Sequence, residues 1–188
     1  MRQKVYCTRD RRLKIALAPF HNRGMAILRV ASLVVVAIWV GGLAVLGFVA
    51  APMIFSTLEA SDPASGRVLA GQVFGAVFER FQHWTWALGG LLVALLVARA
   101  LLGPRPRRLA LRVWTVAGMV ALSLTTALLI GPRIDQIRRE TNGSVSALPD
   151  SDARKTEFGR LHGLSTAFMF CTLAAGVGLL WAETKDQH

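Results

Sequence analysis

Two histidines in apolar surroundings are the residues of this chain best suited to chemistry. His83 stands in Phe78-Glu79-Arg80-Phe81-Gln82-His83-Trp84, and His162 in Phe158-Gly159-Arg160-Leu161-His162-Gly163-Leu164-Ser165. An imidazole nitrogen ligates transition metals or haem iron. Glu79 precedes His83 by one helical turn, so the two share a face. A carboxylate there would fix the imidazole tautomer, as partners of ligating histidines do. Gly163 leaves room for a flat ligand beside His162. His83 and His162 together would hold haem b or a transition metal between helices. Two ligands are too few for a structural zinc site, which takes four. The competing reading is a pair of interfacial histidines among the belt aromatics Phe81, Trp84 and Trp86. Arg133, Asp135 and Arg160 are the charge partners at the same level. Asp135 can pair with Arg138 or Arg139 along one helix face. That makes either a solvated ion-pair network or an anion or proton-relay site.

The elements that must position these residues are four long apolar segments. Val30–Leu58 runs twenty-nine residues without a charge, and about 20 helical residues cross a bilayer core. Three further spans follow at about 84–102, 113–130 and 161–182. The expected fold is an all-α four-helix membrane bundle over residues 27–182. Residues 66–82 mix apolar and charged positions at helical spacing, which predicts an amphipathic helical extension before span 2. Ser61-Asp62-Pro63 reads as its start. Pro52 is set to kink span 1. Gly131-Pro132 closes span 3, and the helical pattern continues through Arg133, Ile134 and Ile137. Arg99 sits near the end of span 2, where it would snorkel to water. Residues 1–26 read as a basic, loosely ordered cytoplasmic tail and 183–188 as a polar tail. Gly90, Ala94 and Ala98 form one small-residue stripe, and Ala174 and Gly178 another. Both are expected to pack helices together within the chain, ahead of a homo-oligomer.

Composition supports the same frame. The 188 residues are 53% hydrophobic, with 22 basic and 11 acidic side chains and a net charge of +11. In a membrane protein that excess is a topology signal and an attraction to anionic lipid, not a nucleic-acid footprint. Fourteen Lys/Arg fall on the side of the termini and eight on the other, which places both termini in the cytoplasm. The outer face then gathers Pro52, His83, Pro132 to Asp135 and His162. The cytoplasmic ends offer only arginines and turn residues, so a site is expected outside. Two cysteines exclude a disulfide framework, and Cys171 reads as a small packing residue. The chain carries no P-loop, no nucleophile elbow, no zinc-protease helix and no inverted repeat. Arginine-rich usage points to a bacterial inner membrane.

Two stretches resemble a membrane family catalogued as a domain of unknown function and related to transmembrane protein 205. They are Trp39-Val40-Gly41-Gly42 with Ala51-Pro52-x-Ile54-Phe55, and Phe158-x-Arg160-x-His162-Gly163-Leu164-Ser165. The resemblance covers about residues 27–182 and implies four spans with no established biochemistry. The tryptophan-glycine start also resembles, more distantly, copper-resistance D proteins and haem-binding membrane protoporphyrinogen oxidases. Those families place histidines within their spans, whereas span 1 here has none.

Three functions fit these residues. The first is a non-enzymatic membrane protein with a metal, haem or small-solute site at its outer face. The second is a haem-dependent membrane redox protein or enzyme. The third is a structural partner of other membrane proteins.

Overall fold

A computed structural model describes residues 3–103 and 108–185, with side chains from Gly24 onward. Residues 104–107 and 186–188 and the side chains of the basic tail, Cys7 included, lie outside the described residues. The described residues form an antiparallel bundle of four helices long and apolar enough to cross a membrane. Span 1 (Gly24–Ser61) comprises the end of α1 (Gln3–Val45), a π turn (Leu46–Ala50) and α2 (Ala51–Ser61). Span 2 is α3 (Gly66–Leu102). Span 3 joins α4 (Leu109–Thr125), a second π turn (Thr126–Ile130) and α5 (Gly131–Glu140). Span 4 is α6 (Ala153–Lys185).

Only 17 to 28% of each span's most apolar stretch is buried inside the bundle. A helix apolar on all sides, with most of its surface facing outward, fits lipid as its solvent.

Several boundaries differ from the sequence reading. The basic tail continues as helix into span 1. The amphipathic segment and span 2 form one unbroken helix. Asp62 does not start that helix. It accepts hydrogen bonds from the Ala64 and Ser65 amides at 3.0 and 3.2 Å, closing a turn, and the helix begins at Gly66. Span 4 runs to Lys185, so Glu183 belongs to the helix and not to a tail.

Pro52 and Pro132 each sit two residues after a π turn. Proline cannot donate a backbone hydrogen bond, so the ladder must readjust around it. Here it widens by one residue. The Ala51 amide reaches Leu46 O, and the Gly131 amide reaches Thr126 O. Both are bonds over five residues, the signature of a π-bulge.

These matched bulges belong to a direct internal repeat with a register of eighty positions. Leu46–Ala50 maps onto Thr126–Ile130, and Pro52 onto Pro132. Buried Val36 and Trp39 map onto buried Val116 and Met119. Buried Leu92 and Leu96 map onto buried Thr172 and Gly176. Phe78-x-Arg80 maps onto Phe158-x-Arg160. Spans 1 and 2 thus form one hairpin and spans 3 and 4 its counterpart, running in the same sense. Consecutive spans pack together and span 4 returns to span 1. Spans 1 and 3 therefore lie across one diagonal, and spans 2 and 4 across the other.

The apolar centre is built on Trp39, 1% exposed, with Val36, Leu43, Leu92, Leu96, Val116, Met119 and Leu179 around it. Gly89 admits this packing. A Cβ there would come within 2.5 Å of Val120 Cγ2 and 3.4 Å of the Trp39 ring. Gly42 faces Phe81 and Gly176 faces Val40 in the same way. The stripes expected to pack helices do not. Gly90 and Gly178 have open space around them, and Ala94 and Ala174 are exposed. Cys171 is also exposed on the bundle's outer surface and not packed inside it.

Candidate functional site

A narrow cleft enters the bundle between all four spans, outside the Trp39 layer. It has about 30 Å³ of room for solvent, enough for one or two waters. Trp39 and Leu43 line it from span 1, with Phe78, Phe81 and Phe168 among its apolar walls. Its polar side chains are Gln82, Thr85, Ser123, Thr126, Ser165 and Thr172, all uncharged. Ser123 donates to Gln82 Oε1 at 2.7 Å. The Thr85 hydroxyl lies 3.0 Å from Ser123 Oγ, and Trp86 Nε1 donates to the same oxygen at 3.2 Å. Gln82 and Thr85 are buried. A satisfied polar network at this depth fixes the rotation of spans 2 and 3 against each other.

Both histidines lie outside this cleft. His83 is exposed. Its Nδ1 lies 2.9 Å from the backbone carbonyl of Glu79, and its ring packs on Trp86 with centroids 4.8 Å apart. The backbone of Glu79, and not its carboxylate, thus orients the imidazole. His162 is exposed and stacks on Phe158 of its own helix at 6.1 Å. Ser165 and Thr166 donate to the His162 backbone carbonyl. The two imidazoles stand near equivalent positions of the repeat, on diagonal spans. Among the described residues they share no ring contact or hydrogen bond. No group of three or more His, Cys, Asp or Glu among those residues could hold a metal ion.

The charge partners at this end tie elements together at the surface. Arg133 grips Glu157 with Nε and Nη2, at 2.6 and 2.8 Å, joining spans 3 and 4. Asp135 is exposed and pairs with Arg138 at 3.8 Å, as the spacing predicts. Arg138 also reaches the Gly71 carbonyl at 3.3 Å and lies over the Phe158 ring. Arg160 is exposed.

The opposite end holds a cluster the sequence reading missed. Arg99 does not snorkel. Its side chain is 7% exposed, and Nη1 donates to both oxygens of Glu183, at 2.9 and 3.0 Å. Arg112 donates to Glu183 Oε1 through Nη1 and to the Ala182 carbonyl through Nη2 at 3.1 Å. Arg29 donates to the Glu183 backbone carbonyl, and its Nε lies 4.0 Å from Glu183 Oε2. Each span contributes one residue. The arginines also meet the C-terminal turn of α6, where the helix dipole favours cations. The one available signal was an acidic residue closing an otherwise uncharged span, opposite arginines at the same depth.

Fold and clusters together define a polytopic membrane protein whose interior polar groups are neutral at one end and charged at the other. The chain belongs to the family described as Domain of unknown function (DUF4149), which it matches over residues 34–142. The match takes in spans 1 to 3 and ends before the Arg160-to-Ser165 motif. Neither a curated protein nor a solved structure matches the chain.

Proposed function

We propose that this is a non-enzymatic membrane protein that binds a small uncharged, hydrogen-bonding solute in the cleft between its spans. The observation that carries the reading is the cleft's lining. Six neutral polar side chains converge there, beside the apolar Trp39 layer. They recognise solutes that offer both donors and acceptors, and no charge awaits an ion. The room available suits a molecule of a few heavy atoms and not a porphyrin. The apolar Trp39 layer closes the inner end, so the cleft is a pocket and not a pore.

In this reading the cleft opens toward the outer face and both termini are cytoplasmic. The excess of Lys/Arg on the side of the termini supports that orientation. Arginine-rich usage supports a bacterial inner membrane.

Acrylamide, a small neutral amide, tests the proposal. In full-length protein with Trp39 as the sole tryptophan, acrylamide should quench its fluorescence and iodide should not. Gln82→Leu should weaken the acrylamide effect several-fold. Equal quenching in wild type and Gln82→Leu would remove the cleft as a solute site.

A further inference from the structure

We propose that the arginine end of the bundle is a binding site for a phosphate group. The proposal rests on how the buried guanidinium donors are matched. Among the described residues Glu183 is the one carboxylate within reach of Arg29 and Arg99. Its oxygens are already engaged. Oε1 accepts from Arg99 and Arg112, and Oε2 accepts from Arg99. Arg29 is left with a backbone carbonyl and a loose 4.0 Å approach to the carboxylate. The Nε groups of both Arg29 and Arg99 are buried without a hydrogen-bond partner. Arg99 is more than nine-tenths buried. Stranding a guanidinium donor away from water is expensive, and a further anion would offset the cost.

Phosphate fits this vacancy of acceptors better than a second carboxylate does. It offers several oxygens from one centre, so a single group can accept from two guanidinium forks. Access is from the Arg29 side. Arg29's side chain is 22% exposed, whereas those of Arg99 and Arg112 are 7% and 5%. Arg29's approach to the Glu183 carboxylate is loose, so its Nε can turn to an entering group while Nη2 keeps the backbone carbonyl and Arg99 and Arg112 stay clamped. The cluster lies one turn inside the ends of spans 2 and 4. That is headgroup depth, where anionic lipid presents phosphate at high local density. A phospholipid headgroup or a soluble phosphate would bring the same chemistry.

The test uses purified full-length protein in detergent, with thermal unfolding followed by tryptophan fluorescence. The probes are phosphatidylglycerol, phosphatidylcholine as a zwitterionic baseline, and inorganic phosphate at constant ionic strength. Phosphatidylglycerol should raise the wild-type midpoint by about 5 °C over the baseline at saturation. Arg29→Gln should lose at least half of that rise. Arg29→Lys, which keeps the charge and gives up the fork, should lose it too and serves if the glutamine variant does not fold. A rise with phosphatidylglycerol alone identifies the headgroup as the source. A rise with inorganic phosphate as well identifies soluble phosphate. No rise with either, or equal rises in wild type and both variants, would overturn the proposal.

Discussion

The bundle carries ion pairs at both ends, and they differ in what surrounds them. At the end away from the termini Arg133 and Glu157 form a bidentate pair with 44% and 38% of their side chains exposed. At the other end Arg99, Arg112 and Glu183 are all but sealed. The bond lengths are similar, but the energetics are not. An exposed pair competes with water and contributes little. A buried cluster has already lost its water, so removing one member strands the rest. The length of an ion pair therefore says less about its role than the medium around it.

The largest expected effect comes from breaking the sealed cluster. Glu183→Gln keeps the shape and removes the charge facing Arg99. It should destabilise the protein by about 3–5 kcal/mol, measured by unfolding in mixed detergent. If it costs no more than a substitution at the Arg133–Glu157 end, the contrast between the ends collapses. A second comparison uses adjacent glycines. Gly89→Ala drives a methyl against Val120 and Trp39 and should cost about 1–3 kcal/mol. Gly90→Ala enters open space and should be neutral or stabilise by about 0.5–1 kcal/mol. The neutral cleft ranks next. Gln82→Leu removes the acceptor of the Ser123 hydroxyl and should cost about 1–2 kcal/mol, seen as a lower unfolding midpoint.

The smallest shifts belong to the exposed charges. Arg133→Gln should barely move the midpoint, and added salt should erase what difference there is. The loop carboxylates are comparable. A hydrogen bond from the Ser65 hydroxyl, aided by the Ser65 and Ala64 amides, holds Asp62 below the usual carboxylate range. Hydrogen bonds to Lys155 and Arg154 do the same for Asp150 and Asp152. Their native values are lowered, so their stabilisation is complete above the unfolded value of 3.8 and fades as pH falls through the native one. Loop amide protection, measured relative to the intrinsic exchange rate at each pH, should therefore fall only below about pH 4, and Asp62→Asn should abolish that pH dependence at its own turn.

Much of the fold was legible because hydropathy over twenty residues is a strong signal. Four apolar segments separated by charged turns leave little freedom in fold class. The pairing of Asp135 with Arg138 was legible as well, being a local matter of spacing along one helix. What stayed hidden depends on helix rotation and on contacts between distant segments. Arg99 and Glu183 are eighty-four positions apart, and neither betrays its partner in its own neighbourhood. Glu183 looked like part of a polar tail because it sits close to the chain's end. The stripe through Gly90 was off by one residue, since Gly89 makes the close contact and Gly90 faces outward. The neutral cleft was hidden for a related reason. Its serines, threonines and glutamine are spread over spans 2, 3 and 4 and converge only after packing. The direct repeat escaped notice because its equivalent core positions hold different residues, Trp39 against Met119 and Leu96 against Gly176.

The two π turns carry a consequence for how the spans can be altered. Each inserts one residue beyond the α-helical count, which turns everything outside it by roughly 100° about the helix axis. A side chain beyond Pro52 or Pro132 therefore points where a straight helix would send its neighbour. No single substitution can reverse a phase step of this kind, because the step is counted in whole residues. Only deleting one residue before Pro52 or before Pro132 would remove the surplus position. The segment beyond would then keep the side it now turns to the bundle, because the residue removed is the one the widened turn had absorbed.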